Sequence, residues 1–145
     1  MGVAQASDYL ENKIVDHLFR GVQWVAPTTL YLGLMNAAPT DAGASAEVVG
    51  GGYTRLAVPC TLTNWRATQG GNGASTGDTG TTANLITLVF PAPTGGWGNI
   101  THFGIFDALT GGNLLLWDAV ASPQTVNAGD PAPAFPIDAL AVTVS

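Results

Sequence analysis

Glycine and proline interrupt this sequence at short intervals from Gly21 to the C-terminus, and their spacing constrains the fold more than any other feature. The chain holds 19 glycines and 9 prolines. Between them lie short runs rich in Val, Leu, Ile, Thr and aromatic residues, the composition of β-strands. Many short strands with a turn about every ten residues are typical of two-sheet folds. We therefore predict a mainly β fold over residues 28–145, an antiparallel, jelly-roll-like β-sandwich.

Apolar patterns place the individual strands. The clearest is Thr29–Met35, a nearly continuous apolar run in which Gly33 indicates a close backbone approach or a bulge. By contrast, residues 68–83 are rich in Gly, Thr and Ser with almost no apolar content, so we predict an exposed, flexible loop there. The predicted strands are 29–35, 53–62, 85–90, 99–107, 114–120 and 140–144, with one more around Val126.

One N-terminal amphipathic helix is predicted over residues 7–20. Its apolar side chains recur at four-residue spacing at Leu10, Ile14 and Leu18. Asp8 is the predicted N-cap residue. An amphipathic helix of this length needs a docking surface, which is either its own sheet or a neighbouring subunit. The pattern favours neither.

Length and charge narrow the class of protein. A chain of 145 residues fits a single domain, 1–145. Only 10% of its residues are charged, far below the usual quarter, so we expect other protein to cover much of its surface. The net charge is -6, and the few cations are too scattered to bind nucleic acid or an anionic membrane. These cations are Lys13, Arg20, Arg55 and Arg66.

Residues suited to catalysis or metal binding are sparse. Ser75 lies in a G-x-S-x-G string, but without the strand and helix that a nucleophile elbow needs. His17 and His102 are the only histidines, which is too few for a multi-histidine metal site. We therefore predict no catalytic, cofactor-binding or metal-binding residue and no enzyme activity. Cys60 is the single cysteine, so no internal disulfide can form, and we expect a buried, inert thiol.

Aromatic side chains suggest where a partner could bind. All four tryptophans lie near predicted strand ends or turns, where they either anchor a partner or belong to the ordinary core. Combining these positions with the helix stripe gives five candidate partner-binding residues. They are Leu10, Ile14, Leu18, Trp24 and Trp97.

Three stretches carry a resemblance to a known family. They are Tyr9–Phe19 (YLENKIVDHLF), Glu47–Arg55 (EVVGGGYTR) and Trp97–Leu115 (WGNITHFGIFDALTGGNLL). Together they resemble small bacteriophage virion proteins commonly labelled phage tail fibre proteins, some of whose relatives and analogues serve as capsid decoration (cement) proteins. Gly70–Thr82 departs from that pattern by its length.

The resemblance implies a structural protein of the virion, made in the host cytoplasm. A fibre usually needs a long trimeric shaft, and no coiled coil or repeat is visible here. A compact domain with an apolar surface and a helix suits a cement protein that holds neighbouring subunits together. We therefore rank capsid decoration first, with the major capsid protein as partner and a homo-oligomer as the assembled form. A tail or tail-fibre component, which could contact host-surface carbohydrate, is the alternative, and an enzyme comes last.

Overall fold

The computed structural model describes residues 2–43 and 46–145. Residues 44 and 45 of the predicted loop between the first two strands, and Met1, lie outside the described residues. The described chain forms one helix and nine strands. They are β1 (Gln5–Ala6), α1 (Asp8–Phe19), β2 (Thr29–Met35), β3 (Leu56–Pro59), β4 (Thr81–Ala83), β5 (Leu88–Val89), β6 (Gly98–Phe106), β7 (Leu114–Val126), β8 (Ala134–Phe135) and β9 (Ala141–Thr143).

A five-stranded sheet forms the larger layer, in the order β1-β7-β6-β2-β3. Every pairing in it is antiparallel. The apolar run that predicted β2 has the expected bounds, 29–35. The prediction of a mainly β, antiparallel fold with one helix near the N-terminus is therefore confirmed.

The remaining strands form two separate ribbons, β4 with β9 and β5 with β8. They share one apolar core with the large sheet, to which Leu88 and Val142 contribute from the ribbons and Leu32 and Phe103 from the sheet. Among residues 2–43 and 46–145 these ribbons do not join into a second continuous sheet. The jelly-roll-like sandwich therefore stays a prediction.

Glycines allow a close approach on the face of the sheet away from this core. Gly33 pairs directly with Gly104 across β2 and β6. A Cβ atom on Gly33 would lie 2.8 Å from the Phe106 ring and 2.9 Å from Glu47 Oε1. The prediction that Gly33 marks a close approach is confirmed, since only a residue without a side chain leaves room for these two groups.

Arg55 anchors a polar network over these glycines. Its guanidinium donates to both carboxylate oxygens of Glu47, at 2.8 Å from Nε and 2.7 Å from Nη2. Its Nη1 donates to the backbone oxygens of Ala108 and Gly111. The guanidinium carbon lies 3.5 Å from the centroid of the Phe106 ring. One buried arginine thus ties the EVVGGGYTR stretch to the hairpin between β6 and β7.

Tyr53 extends this network into the core. Its hydroxyl donates to Glu47 Oε1 at 2.8 Å and accepts from the Leu34 backbone N–H at 3.0 Å. Burial, together with the hydrogen bond to Glu47, raises the pKa of Tyr53, so the phenol stays protonated and remains a donor. The Tyr53 ring meets the Trp97 ring edge-on at 5.5 Å. Two of the family-like stretches are therefore in direct contact.

The helix spans Asp8–Phe19, one residue shorter at each end than the predicted 7–20, and its N-cap lies one residue earlier than predicted. Ser7, not Asp8, is the N-cap residue, and its Oγ accepts from the Leu10 N–H at 3.2 Å. The same hydroxyl donates to the backbone oxygen of Leu114. Ser7 caps the helix in preference to Asp8 because it is buried between the helix and β7, where both of its hydrogen bonds can form.

Several features after β2 differ from the predictions. The predicted loop 68–83 ends early, because Thr81–Ala83 pairs with β9. The last predicted strand before Val126 ends at residue 120, whereas β7 continues to Val126. Cys60 is exposed rather than buried, because β3 ends at Pro59 and the next residue leaves the sheet. Partial desolvation nevertheless raises the pKa of its thiol.

Candidate assembly interface

Residues 8–28, which comprise α1 and the segment that follows it, are called the arm here. The exposure of the helix stripe rises steadily along the helix. Leu10 is 9% exposed, Ile14 39% and Leu18 67%. Since these side chains lie on one helical face, the helix leaves the body of the protein as it proceeds. The helix packs on β1 and β7, and Leu10 is the one of its residues that is buried there.

Local hydrogen bonds give the arm a defined turn after the helix. Gly21 adopts a left-handed backbone conformation, with φ of 70°, which a residue without Cβ adopts readily. Val22 then donates its N–H to the backbone oxygen of Asp16. Further on, the Trp24 N–H donates to His17 Nδ1 at 3.1 Å. The segment after the helix is therefore folded back against it, so the arm has a preformed shape.

Both ends of the arm are fixed at the same end of the large sheet. On one side the Ser7 N–H donates to Leu115 O, and on the other the Cys60 N–H donates to Thr28 O. Leu115 follows the hairpin that joins β6 to β7, and Thr28 immediately precedes β2. We call this end of the sheet the arm pole.

The outer part of the arm displays exposed apolar side chains. Phe19 is 81% exposed and Val25 86%. Residues 21–28 (GVQWVAPT) contain no ionisable side chain. Soluble monomers rarely carry such a concentration of exposed apolar groups without a partner that covers them. The exposed apolar side chains of the arm are Ile14, Val15, Leu18, Phe19, Val22 and Val25.

The structure separates the five predicted partner-binding residues. Ile14 and Leu18 are exposed, and Trp24 is half-buried beside the helix. Leu10 is buried under the first turn, and Trp97 lies in the core, where its Nε1 donates to Gly51 O at 2.8 Å. These two residues stabilise their own protomer. A partner-binding hypothesis accordingly keeps Ile14, Leu18 and Trp24.

Sequence reasoning missed Val22 and Val25. They follow the helix, so no helical period includes them, and two valines three residues apart between Gly21 and Pro27 resemble an ordinary linker. The one available signal was the absence of charge over residues 21–28.

The other candidates for chemistry remain apart from one another. Ser75 Oγ accepts from the Thr68 N–H inside its own loop. His102 Nδ1 lies 2.8 Å from Thr101 Oγ1, and the His102 ring lies 5.9 Å from that of Trp117. Over the described ranges, no three His, Cys, Asp or Glu residues come together as a metal-ligand set.

None of the four tryptophans is fully exposed. Trp97 is buried, and Trp24, Trp65 and Trp117 are each half-buried. A carbohydrate site needs an open aromatic face with polar groups beside it.

In the part of the chain that the structure describes, no helix is long and apolar enough to cross a membrane.

Comparison with known proteins identifies the family. No curated protein matches the sequence significantly. A family model described as "Podophage GP4 fiber I protein gp80" matches residues 5–143, which is nearly the whole chain and includes the arm. The match confirms the resemblance to phage tail fibre proteins seen in the three sequence stretches. The chain therefore belongs to this family of podophage fibre proteins and is a structural protein of a bacteriophage virion.

Proposed function

We propose that this protein is a non-enzymatic building block of a phage tail fibre and that its arm joins it to further copies and to other virion proteins. The exposure of the arm is the observation that carries this proposal. Leu18, Phe19 and Val25 are apolar side chains, and each is more than half exposed. A preformed apolar arm is suited to clasp a neighbouring subunit.

The fibre is preferred to the capsid for a specific reason. The sequence analysis ranked capsid decoration first because the chain lacks a long shaft. The description of the matching family names a fibre, and the matched residues, 5–143, include both the arm and the sheet. A fibre can also be built from many small domains, provided that each domain carries a contact for the next. The arm offers such a contact.

The energetics favour repeated contacts over a single strong one. Fully burying one exposed Val, Leu, Ile or Phe contributes about 1.5–3 kcal/mol. The six apolar side chains of the arm are partly covered already, so together they contribute on the order of 10 kcal/mol. Association itself costs about 4–15 kcal/mol. One arm contact is therefore weak in isolation, and many copies acting together give a stable assembly.

The location in the particle tests the proposal. Virions carrying an affinity tag at the C-terminus of this protein should bind gold-labelled antibody along their tail fibres in electron micrographs. Label confined to the head surface would refute the fibre assignment and favour capsid decoration. Untagged virions treated with the same antibody are the control for non-specific label.

A further inference from the structure

An apolar groove opens at the end of the large sheet opposite the arm. Its floor includes Leu34, Ile100 and Val126, and its rim includes Ala121 and Phe135. The cavity is about 230 Å³. Small-molecule sites usually measure about 300–1,000 Å³, so this groove has the size of one or two protein side chains. None of its lining residues is ionisable.

A large irregularity in the pairing of β6 with β7 forms one wall of the groove. Ile100 pairs with Gln124, and His102 pairs with Ala119. One residue on β6 therefore faces four residues on β7, 120–123, which bend away from the sheet. The segment that contains β8 forms the other wall. The groove thus results from the irregular half of β7, which the sequence pattern did not predict.

The register of the sheet places the arm and the groove at opposite ends. β7 starts at Leu114, at the arm pole, and ends at Val126 in the groove floor. β6 runs in the reverse direction, and β2 enters at the arm pole and reaches the groove at Leu34. At about 3.4 Å per residue, the groove begins roughly 17 Å from the arm pole at Leu34 and extends to roughly 27 Å at the far end of β6. The arm of one copy therefore cannot fill its own groove without leaving its pole.

The chemistry of the arm tip matches that of the groove. Residues 21–28 are uncharged and apolar, and so is the groove, although the chain as a whole carries a net charge of -6. Two such copies therefore carry a net electrostatic repulsion. A contact between the uncharged tip and the uncharged groove avoids placing like charges together.

We propose that the arm of one copy docks into this groove of the next copy, so that copies join head to tail. The proposal rests on the assembly role of the arm given above and adds the surface that receives it. Because the two contact surfaces differ, the interface is heterologous, and it generates a closed ring or a continuing filament rather than a symmetric dimer. Successive copies of a fibre domain can be arranged in this way.

Complementation between two defective variants tests the head-to-tail contact. The arm variant is Val22→Asp with Val25→Asp, which puts charge on the uncharged tip at two exposed side chains, and the groove variant is Ala121→Glu, which puts a charge into the apolar groove. Each variant alone should associate at least about tenfold more weakly than the wild type in sedimentation velocity. Mixed together they should form a complex of two chains, because one intact arm then meets one intact groove and growth stops there.

Controls separate the possible failures. Ala57→Glu makes the same change on the exposed part of β3, away from the groove, and should associate like the wild type. Ser122→Trp fills the groove without adding charge and replaces Ala121→Glu if that variant melts early. Wild-type association in both groove variants, or a mixture that stays monomeric, would overturn the head-to-tail contact alone. A wild type that never associates would overturn the assembly role of the arm as well.

Discussion

Replacing Leu18 and Phe19 by aspartate together is expected to weaken self-association by at least about 100-fold. These are the two most exposed apolar side chains of the helix, at 67% and 81%. The change removes their contribution to an interface and adds two negative charges to a chain that is already acidic. Since neither side chain is packed in its own protomer, the fold should not weaken.

Sedimentation velocity over a range of concentrations measures this effect, and circular dichroism with a thermal melt checks the fold. Leu62→Asp is the matched control, because Leu62 is 61% exposed but lies outside the arm. It introduces the same kind of charge at a similarly exposed leucine. Equal loss of association in both variants would mean that added charge, rather than the arm, explains the result.

Arg55→Ala is expected to lower the free energy of unfolding by about 3 kcal/mol. The substitution leaves the Glu47 carboxylate without its cation beside the buried hydroxyl of Tyr53. It also frees the backbone oxygens of Ala108 and Gly111 and removes the group that stacks on the Phe106 ring. Removal of one partner from a largely buried pair costs far more than loss of an exposed pair.

Denaturant unfolding followed by tryptophan fluorescence gives this free energy. Arg20→Ala is the control, because the Arg20–Asp16 pair spans 3.0 Å on the exposed surface of the helix and should contribute less than about 1 kcal/mol. Arg55→Lys should fall between the two, since lysine keeps the charge but cannot form the paired contact with Glu47. An Arg55→Ala protein as stable as Arg20→Ala would show that the network does not hold the hairpin.

The local patterns of the sequence predicted the elements that are decided locally. Thr29–Met35 is apolar on both faces, and β2 is an inner strand of the sheet, between β6 and β3. The four-residue spacing of Leu10, Ile14 and Leu18 predicted α1. Gly33 was recognised because only a missing side chain explains a glycine in the middle of such a strand.

Features that depend on distant segments were not predicted. Asn84 is fully buried, and its side chain donates to the backbone oxygens of Ile86, Phe135 and Pro136 while accepting from the Leu140 N–H. Nothing in the neighbourhood of Asn84 indicates that residues 50 positions away will come beside it. The two-residue strands β5 and β8 are likewise defined by their pairing with each other. Each is too short to show a hydrophobic period in the sequence.

The partner-binding residues were only partly predictable for a related reason. A helical period shows which side chains share a face, but not how far that face stays in contact with the body. Leu10 and Leu18 have the same pattern and differ from 9% to 67% in exposure. Trp97 and Trp24 both lie near turns, yet one is core and the other belongs to the arm. The tertiary position of each residue makes the difference.

The low content of charged residues also indicates that other protein covers part of the surface. A charged fraction of 10% is low for a free protein surface, and the arm accounts for a concentrated part of the exposed apolar groups. Membership of the podophage fibre family gives that surface a context in which protein neighbours are abundant. The composition, the arm and the family therefore agree on an assembly role.

The amount of this protein in purified virions tests that role most directly. Virions would be prepared from infections in which the only copy of the protein is the wild type, the Leu18→Asp and Phe19→Asp double variant, or Leu62→Asp, and its content measured by quantitative mass spectrometry. We expect normal content for the wild type and Leu62→Asp, and near-complete loss for the double variant. Normal content of the double variant would contradict the proposal that the arm joins this protein to the virion.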